Sequence, residues 1–268
     1  VTPSARRAFG ERFWAEGVYT FGLVSAGWFA LATVGAMVLY PGGSVTDKAS
    51  IGYVFTRNFF SDLGMVTAHN GVGNVASMAL FFTALLLVGL GLVAFFVAYP
   101  RLFAVDARAR GWVRVGSLFG ALAGVGFIGV ACTPADLMLG AHITFVKFAF
   151  RCFPLAALCC AVAIFRAEGY PRAYGWVFVA FGVGLVAYLL LLEFGPAVTT
   201  DAGLAIQVGG QKLVVYGSIA SVMLQAVGAR QEARRRRRRG PDGQEGPSGR
   251  WRAHPDHGPG VPRVPASA

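Results

Sequence analysis

Long apolar runs alternate with short polar joints along this chain. The first run extends from Gly17 to Tyr40 and stops at Pro41-Gly42-Gly43. The second runs from Val72 to Tyr99 and ends at Pro100. Four more follow: Val113 to Ala131, Ala141 to Phe165 with Pro154 inside it, Gly175 to Phe194, and Gly209 to Val227. Each has about the 20 residues that an α-helix needs to cross the hydrocarbon core of a bilayer. The first run is longer than the roughly 7–15 residues of a signal-peptide core, and no small-residue cleavage site follows it. It therefore reads as a span. The pattern predicts an all-α integral membrane protein, a six-transmembrane-helix bundle. Residues 1–16 form an N-terminal segment, 17–228 the membrane domain, and 229–268 a tail.

Composition agrees and charge adds a direction. Only 14% of the 268 residues are charged, against about a quarter in soluble domains. The net charge of +11 is unevenly placed. Lys and Arg crowd the N-terminus (Arg6, Arg7, Arg12), the second joint (Arg101, Arg108, Arg110, Arg114), the fourth (Arg166, Arg172) and the tail. The alternate joints hold only Lys48 and Arg57. The positive-inside rule then puts both termini in the cytoplasm of a multi-pass protein of the cell membrane. The tail, rich in Arg, Gly and Pro, has too few apolar residues to fold and is expected to be disordered. Its unbroken Arg234–Arg239 run suits anionic inner-leaflet lipids. No nucleic-acid-binding fold accompanies it, so nucleic acid is not an expected partner. Cys132, Cys152, Cys159 and Cys160 fall in apolar runs without metal-motif pairing and read as core residues. Gly116, Gly120 and Gly124 put a small residue at every fourth position of the third run. Such a stripe admits close helix packing, within the bundle or between copies in a homo-oligomer.

Two polar segments stand out, Arg57–Asn70 and Thr133–His142. They hold Asp62, His69, Asp136 and His142, and the topology puts them on one, outer, side. Further polar residues converge there: Lys147 and Arg151 in the fourth run, Glu193 at the end of the fifth, Gln211 and Lys212 at the start of the sixth. Ionisable groups in a membrane cost at least about 2.5–3.5 kcal/mol each at the midplane, so they face a partner or a wet cavity. If residues 57–70 formed a short helix, Asn58, Asp62 and His69 would share a face.

Three chemistries fit these residues. Asp62, His69, Asp136 and His142 could bind a divalent metal such as zinc or supply acid–base catalysis, as in a membrane hydrolase or transferase. Alternatively Asn58, Lys147, Arg151, Glu193 and Lys212 line an outward-facing polar pocket for a lipid-like or small polar or anionic ligand. In the third reading the acids and bases pair with one another and lock the bundle. A small-solute transporter ranks behind these, since neither an inverted repeat nor matching broken helices are visible.

Ser61-Asp62-Leu63-Gly64 before the second run, with Pro134-x-Asp136 and then His142 at the start of the fourth, resembles the prokaryotic six-helix membrane proteins catalogued as domain of unknown function 998. The likeness covers residues 17–228. Thr133 stands where that family often has an aromatic, and Gln211 near where it often has an acid. The layout is more distantly similar to lipid-associated proteins of the Frag1/DRAM/Sfk1 type. The resemblance implies a six-helix bundle with a polar outer pocket and no particular reaction.

Overall fold

A computed structural model of the chain describes residues 10–239. Residues 1–9 and 240–268, which include most of the expected tail, lie outside the described residues. Six long helices account for most of the rest. They are α1 (Val18–Leu39), α2 (Val75–Ala98), α3 (Ala107–Ala131), α4 (Leu139–Arg166), α5 (Arg172–Phe194) and α6 (Asp201–Arg239). A π-helical turn, Phe13–Gly17, leads into α1, and a 3₁₀ turn, Tyr99–Phe103, follows α2. All six are long and apolar enough to cross a membrane, and the chain is a multi-pass membrane protein. Their outer faces are apolar as well: Leu31, Val38, Val183 and Leu213 are all exposed. A helix that is hydrophobic all round belongs in lipid or in a core.

Helix ends differ from the hydropathy pattern for a common reason. Hydropathy marks the lipid-crossing part, whereas backbone hydrogen bonding continues into polar flanks. Asp106 caps α3, accepting from Arg108 N–H and Ala109 N–H at 3.0 and 3.2 Å. It also accepts from Glu168 N–H at 3.0 Å, and that bond above all holds its carboxyl below the usual range. Helix α6 starts eight residues before the expected Gly209, at Asp201. Thr200 Oγ1 accepts from Gly203 N–H at 3.1 Å and starts it. At its other end α6 continues through the arginine run to Arg239, so the expected disorder does not begin at residue 229.

Consecutive helices pack side by side from α1 to α5. Helix α6 closes against α5, where Gly210 meets Leu191 and Gln225 Nε2 donates to the Tyr174 carbonyl at 2.8 Å. Arg234 Nε donates to Glu16 Oε2 at 3.2 Å, joining the far end of α6 to the entrance of α1. The core at that end is aromatic, with Phe96, Tyr99, Phe103, Phe153 and Phe178 buried together. Arg101 and Arg166 lie 5.2 Å from the Trp14 and Trp112 ring centroids, an arrangement typical of interfacial anchors.

The glycine stripe of α3 is used inside the bundle. Gly120 faces the Phe96 ring on α2, Gly124 faces Gly89 O on α2, and Gly116 faces Cys160 on α4. A Cβ at Gly124 would lie 2.8 Å from Gly89 O and 3.1 Å from Val93 N. Both are backbone atoms, which cannot swing away. Gly124→Ala is expected to lower stability in mild detergent by about 1–3 kcal/mol, the usual cost of overpacking. Thermal unfolding of Gly124→Ala beside Gly184→Ala, whose added Cβ meets nothing within 4 Å, checks this.

Candidate functional site

The polar residues gather at the end of the bundle that carries the long joint between α1 and α2. This joint is not the helix that would align Asn58, Asp62 and His69. It contains one 3₁₀ turn, Phe60–Gly64, and two isolated bridges, Gly42 with Ile51 and Thr67 with Gly73. The three residues meet nonetheless, because the joint folds back on itself. Gly42 and Gly43 make that possible with φ of +134° and +81°. A Cβ on Gly43 would collide with the backbone of His69 and Asn70.

Asn58 is the pin. It is fully buried; its Oδ1 accepts from Val54 N–H at 2.9 Å, and its Nδ2 donates to Gly43 O at 2.8 Å and Asp62 Oδ2 at 2.9 Å. Asp62 Oδ2 also accepts from Phe59 N–H at 3.0 Å, while Oδ1 lies 3.4 Å from His69 Nε2. That approach makes no hydrogen bond, leaving the buried Nε2 without one. On the other side of the ring, Nδ1 is 3.1 Å from Lys48 Nζ. An ammonium only donates, so Nδ1 accepts and the neutral ring carries its proton on Nε2, toward Asp62. His69 N–H donates to Tyr40 Oη at 3.2 Å. Burial pushes the Tyr40 phenol up to about 12, so it stays neutral.

Lys212 reaches this joint from α6. Its Nζ donates to Asn58 O at 2.6 Å and lies 4.9–5.0 Å from the ring centroids of Tyr53, Phe55 and Phe60. Tyr53 Oη donates to the carbonyls of Asn58 and Phe59 at 2.9 and 3.0 Å, and burial pushes its phenol up strongly. One helical residue earlier, Gln211 Oε1 accepts from Phe60 N–H at 2.7 Å. Lys212 thus helps to hold the joint, and neither it nor Asn58 lines the cavity described below.

Asp136 has a similar fate. Its two oxygens accept from Val66 N–H at 3.0 and 3.1 Å and from Thr67 N–H at 2.9 Å. It ties the α3–α4 turn to the long joint. His142 Nδ1 lies 2.6 Å from Thr133 O, so it donates there and leaves Nε2 as the unprotonated ring nitrogen. Among the described residues, no three His, Cys, Asp or Glu side chains come together to hold a metal. Asp62, His69, Asp136 and His142, expected on one side from the topology, all line the same cavity, but not in a metal-holding group. Each carboxylate is occupied by N–H donors of the chain itself.

Glu193 binds both bases of α4, Lys147 Nζ at 3.0 Å and Arg151 Nη2 at 2.8 Å. The cluster is partly exposed, and the Arg151 side chain is 61% accessible. Only Lys147 of the three lines the interior.

That interior is a cavity of about 830 Å³ to which all six helices contribute. Its walls are almost wholly apolar, with Phe29, Leu85, Phe127, Val146, Phe150 and Ile219 among them. Most of its polar lining lies toward the long-joint end (Ser61, Asp62, His69, Asp136, His142, Lys147 and Gln211), with Tyr188 and Ser218 further along the shaft. From Leu139 to Phe153 it follows α4 for about 21 Å at 1.5 Å per residue. At about 100° per residue, His142 and Lys147 flank opposite edges of the apolar face made by Val146, Phe150 and Phe153. A smaller space of about 430 Å³ adjoins it, sharing Phe81, Val130 and His142 as walls. Arg151, Glu193 and Lys212 do not line either space.

Tyr40, Tyr53 and Asn74 were not among the expected site residues, yet they hold it. Asn74 Nδ2 donates to Leu63 O at 3.1 Å and Met65 O at 2.9 Å. An Asn close to the start of the second apolar run was the available sign, since Asn favours helix starts. Nothing in the spacing of the tyrosines marked them.

The fold and site define a multi-pass membrane protein built around a half-open cavity with an apolar shaft and a polar end. No protein-family model, curated protein or solved structure matches the chain.

Proposed function

We propose that the protein binds a lipid-like amphiphile in its central cavity, head toward the long joint and chain along the shaft. The single observation that carries this is the cavity itself: about 830 Å³, apolar walls from all six helices, polar groups concentrated toward one end. Ligand sites run from about 300 to 1,000 Å³ and combine an apolar lining with a few placed polar groups. An acid–base or metal-dependent reaction receives less support, because Asp62 and Asp136 both accept from backbone N–H groups. The polar end is proposed to face outward in the cell membrane, with both termini cytoplasmic. Arg101, Arg108, Arg110, Arg166 and Arg172 flank the opposite helix ends, as the positive-inside rule asks. The arginines that continue α6 suit anionic lipid on that side.

Native mass spectrometry of protein extracted in mild detergent tests the binding. A retained lipid is expected in the unaltered protein and is lost in Val146→Trp, whose side chain would fill the shaft. Val146→Trp protein with unchanged helical content that keeps the same lipid would refute the reading. Orientation has its own test. In a Cys132→Ala background, Ile51→Cys (Ile51 is 94% exposed) should react with a membrane-impermeant thiol reagent on intact cells.

A further inference from the structure

The polar end of the cavity contains two acids, two histidines and one lysine, which at first sight makes it acidic. Hydrogen-bond accounting reverses that. Asp136 spends both oxygens on Val66 N–H and Thr67 N–H. Asp62 spends Oδ2 on Asn58 and Phe59 and turns Oδ1 to His69. His69 has Asp62 on one side and Lys48 on the other. Gln211 gives its carbonyl oxygen to Phe60 N–H. Without a full set of partners remain Ser61 Oγ, His142 Nε2, the Gln211 amide N–H donors, the His69 Nε2 and Asp62 Oδ1 that face each other without a hydrogen bond, and part of one cation. Lys147 Nζ has three N–H donors, and Glu193 takes one of them. Glu193 is shared with Arg151, so the cluster of two bases and one acid has a net charge of +1. Lys147 is the member that lines the cavity.

We infer that Lys147 anchors the head group of the cavity's ligand and that this head is an anion, a carboxylate or phosphate carried by a hydrocarbon chain. The inference rests on the amphiphile reading and adds the chemical class. A cationic head would find no carboxylate oxygen free of N–H neighbours except Asp62 Oδ1, which faces His69. An uncharged head would leave the cluster's net charge without a counter-ion at the edge of an apolar shaft. The chain half of the ligand lies along Val146, Phe150 and Phe153, one face of the helix that carries Lys147. Two successive turns of α4 therefore supply both the charge and the apolar wall.

The test measures binding of oleate, oleyl alcohol and oleylamine to the purified full chain in mild detergent, at a pH where the acid is ionised. Acetate and inorganic phosphate are the chainless controls. Oleate should bind at least about tenfold tighter than oleyl alcohol, the worth of one hydrogen bond to a charged group. Lys147→Met should bring the two within about twofold while the alcohol still binds. Glu193→Gln, which removes the only acid of the cluster, should widen the preference. It keeps the inference open to refutation if Lys147→Met does not fold. Equal affinity for oleate and the alcohol, preference for the amine, or preference for oleate surviving Lys147→Met overturns the anionic head and leaves the amphiphile reading standing. Failure of all three amphiphiles to bind overturns both. Acetate or phosphate binding as tightly as oleate would keep the anion site and overturn the amphiphile.

Discussion

Asp62→Ala should lower the stability of the purified protein by about 3–5 kcal/mol, the usual result of removing one member of a buried charged network. Four partners lose their acceptor or counter-charge together. Asn58 Nδ2 and Phe59 N–H lose Oδ2, at 2.9 and 3.0 Å. His69 Nε2 loses the carboxylate that faces it, and Lys212 loses the carboxylate that acts on it. Asp62 is only 5% exposed, so water does not replace it freely. Asp136→Ala should cost less, about 1–3 kcal/mol, although it removes the acceptor for two N–H groups. Asp136 is exposed, and Val66 N–H and Thr67 N–H can turn to water. Denaturant or thermal unfolding in one detergent, with both variants side by side, reads the difference. The order matters more than either value. If Asp62 were held in place for catalysis or metal binding alone, its removal would leave stability unchanged or raise it. A loss for Asp62→Ala no larger than that for Asp136→Ala would show that the buried network is not what holds the long joint.

The sequence carried the membrane architecture because that part of the fold depends on pattern. Six apolar runs of spanning length have few alternatives in a bilayer, where every backbone group must be satisfied within its own segment. The long joint was not legible in the same way. Its shape comes from single contacts between residues far apart in the chain, such as Phe60 N–H to Gln211 at a separation of 151 residues. Periodicity does not report such contacts. The start of α6 was hidden for a related reason. Gly195 to Val208 contains Pro196, two threonines, Asp201 and Gly203 and reads as a loop, but Thr200 and Asp201 are also what a helix N-terminus prefers. The convergence of polar residues at one end followed from counting spans. Their roles did not follow, because type and spacing cannot tell a carboxylate that will meet a substrate from one that will meet a backbone N–H. Asp62 and Asp136 line the cavity yet accept from backbone N–H groups, whereas of the Lys147–Arg151–Glu193 cluster Lys147 alone lines it.

Lys212 is the strongest case of a charge whose surroundings decide its meaning, and it carries the second large prediction. It sits about 16 Å along α6 from Asp201, at 1.5 Å per residue, and is 4% exposed. A cation so placed is tolerable only if something answers it. The structure supplies one carbonyl at 2.6 Å, three aromatic rings at 4.9–5.0 Å and the nearby Asp62 carboxylate. Lys212→Met keeps the length of the side chain and packs well against aromatic rings, so what it removes is mainly the charge. The single substitution should destabilise by about 3 kcal/mol, because it removes the hydrogen bond to Asn58 O, the cation–ring contacts and the charge that acts on buried Asp62. Asp62→Asn alone should also destabilise, leaving Lys212 without its anion. Together the two should cost less than their sum by about 1–3 kcal/mol, since the second change removes a group that the first had already stranded. A double-mutant cycle from unfolding in a single detergent measures that coupling. Simple additivity would mean that the rings and the Asn58 carbonyl hold Lys212 by themselves. Asp62 would then owe its position to Asn58, Phe59 and His69 alone, and the joint would rest on two independent supports rather than one network.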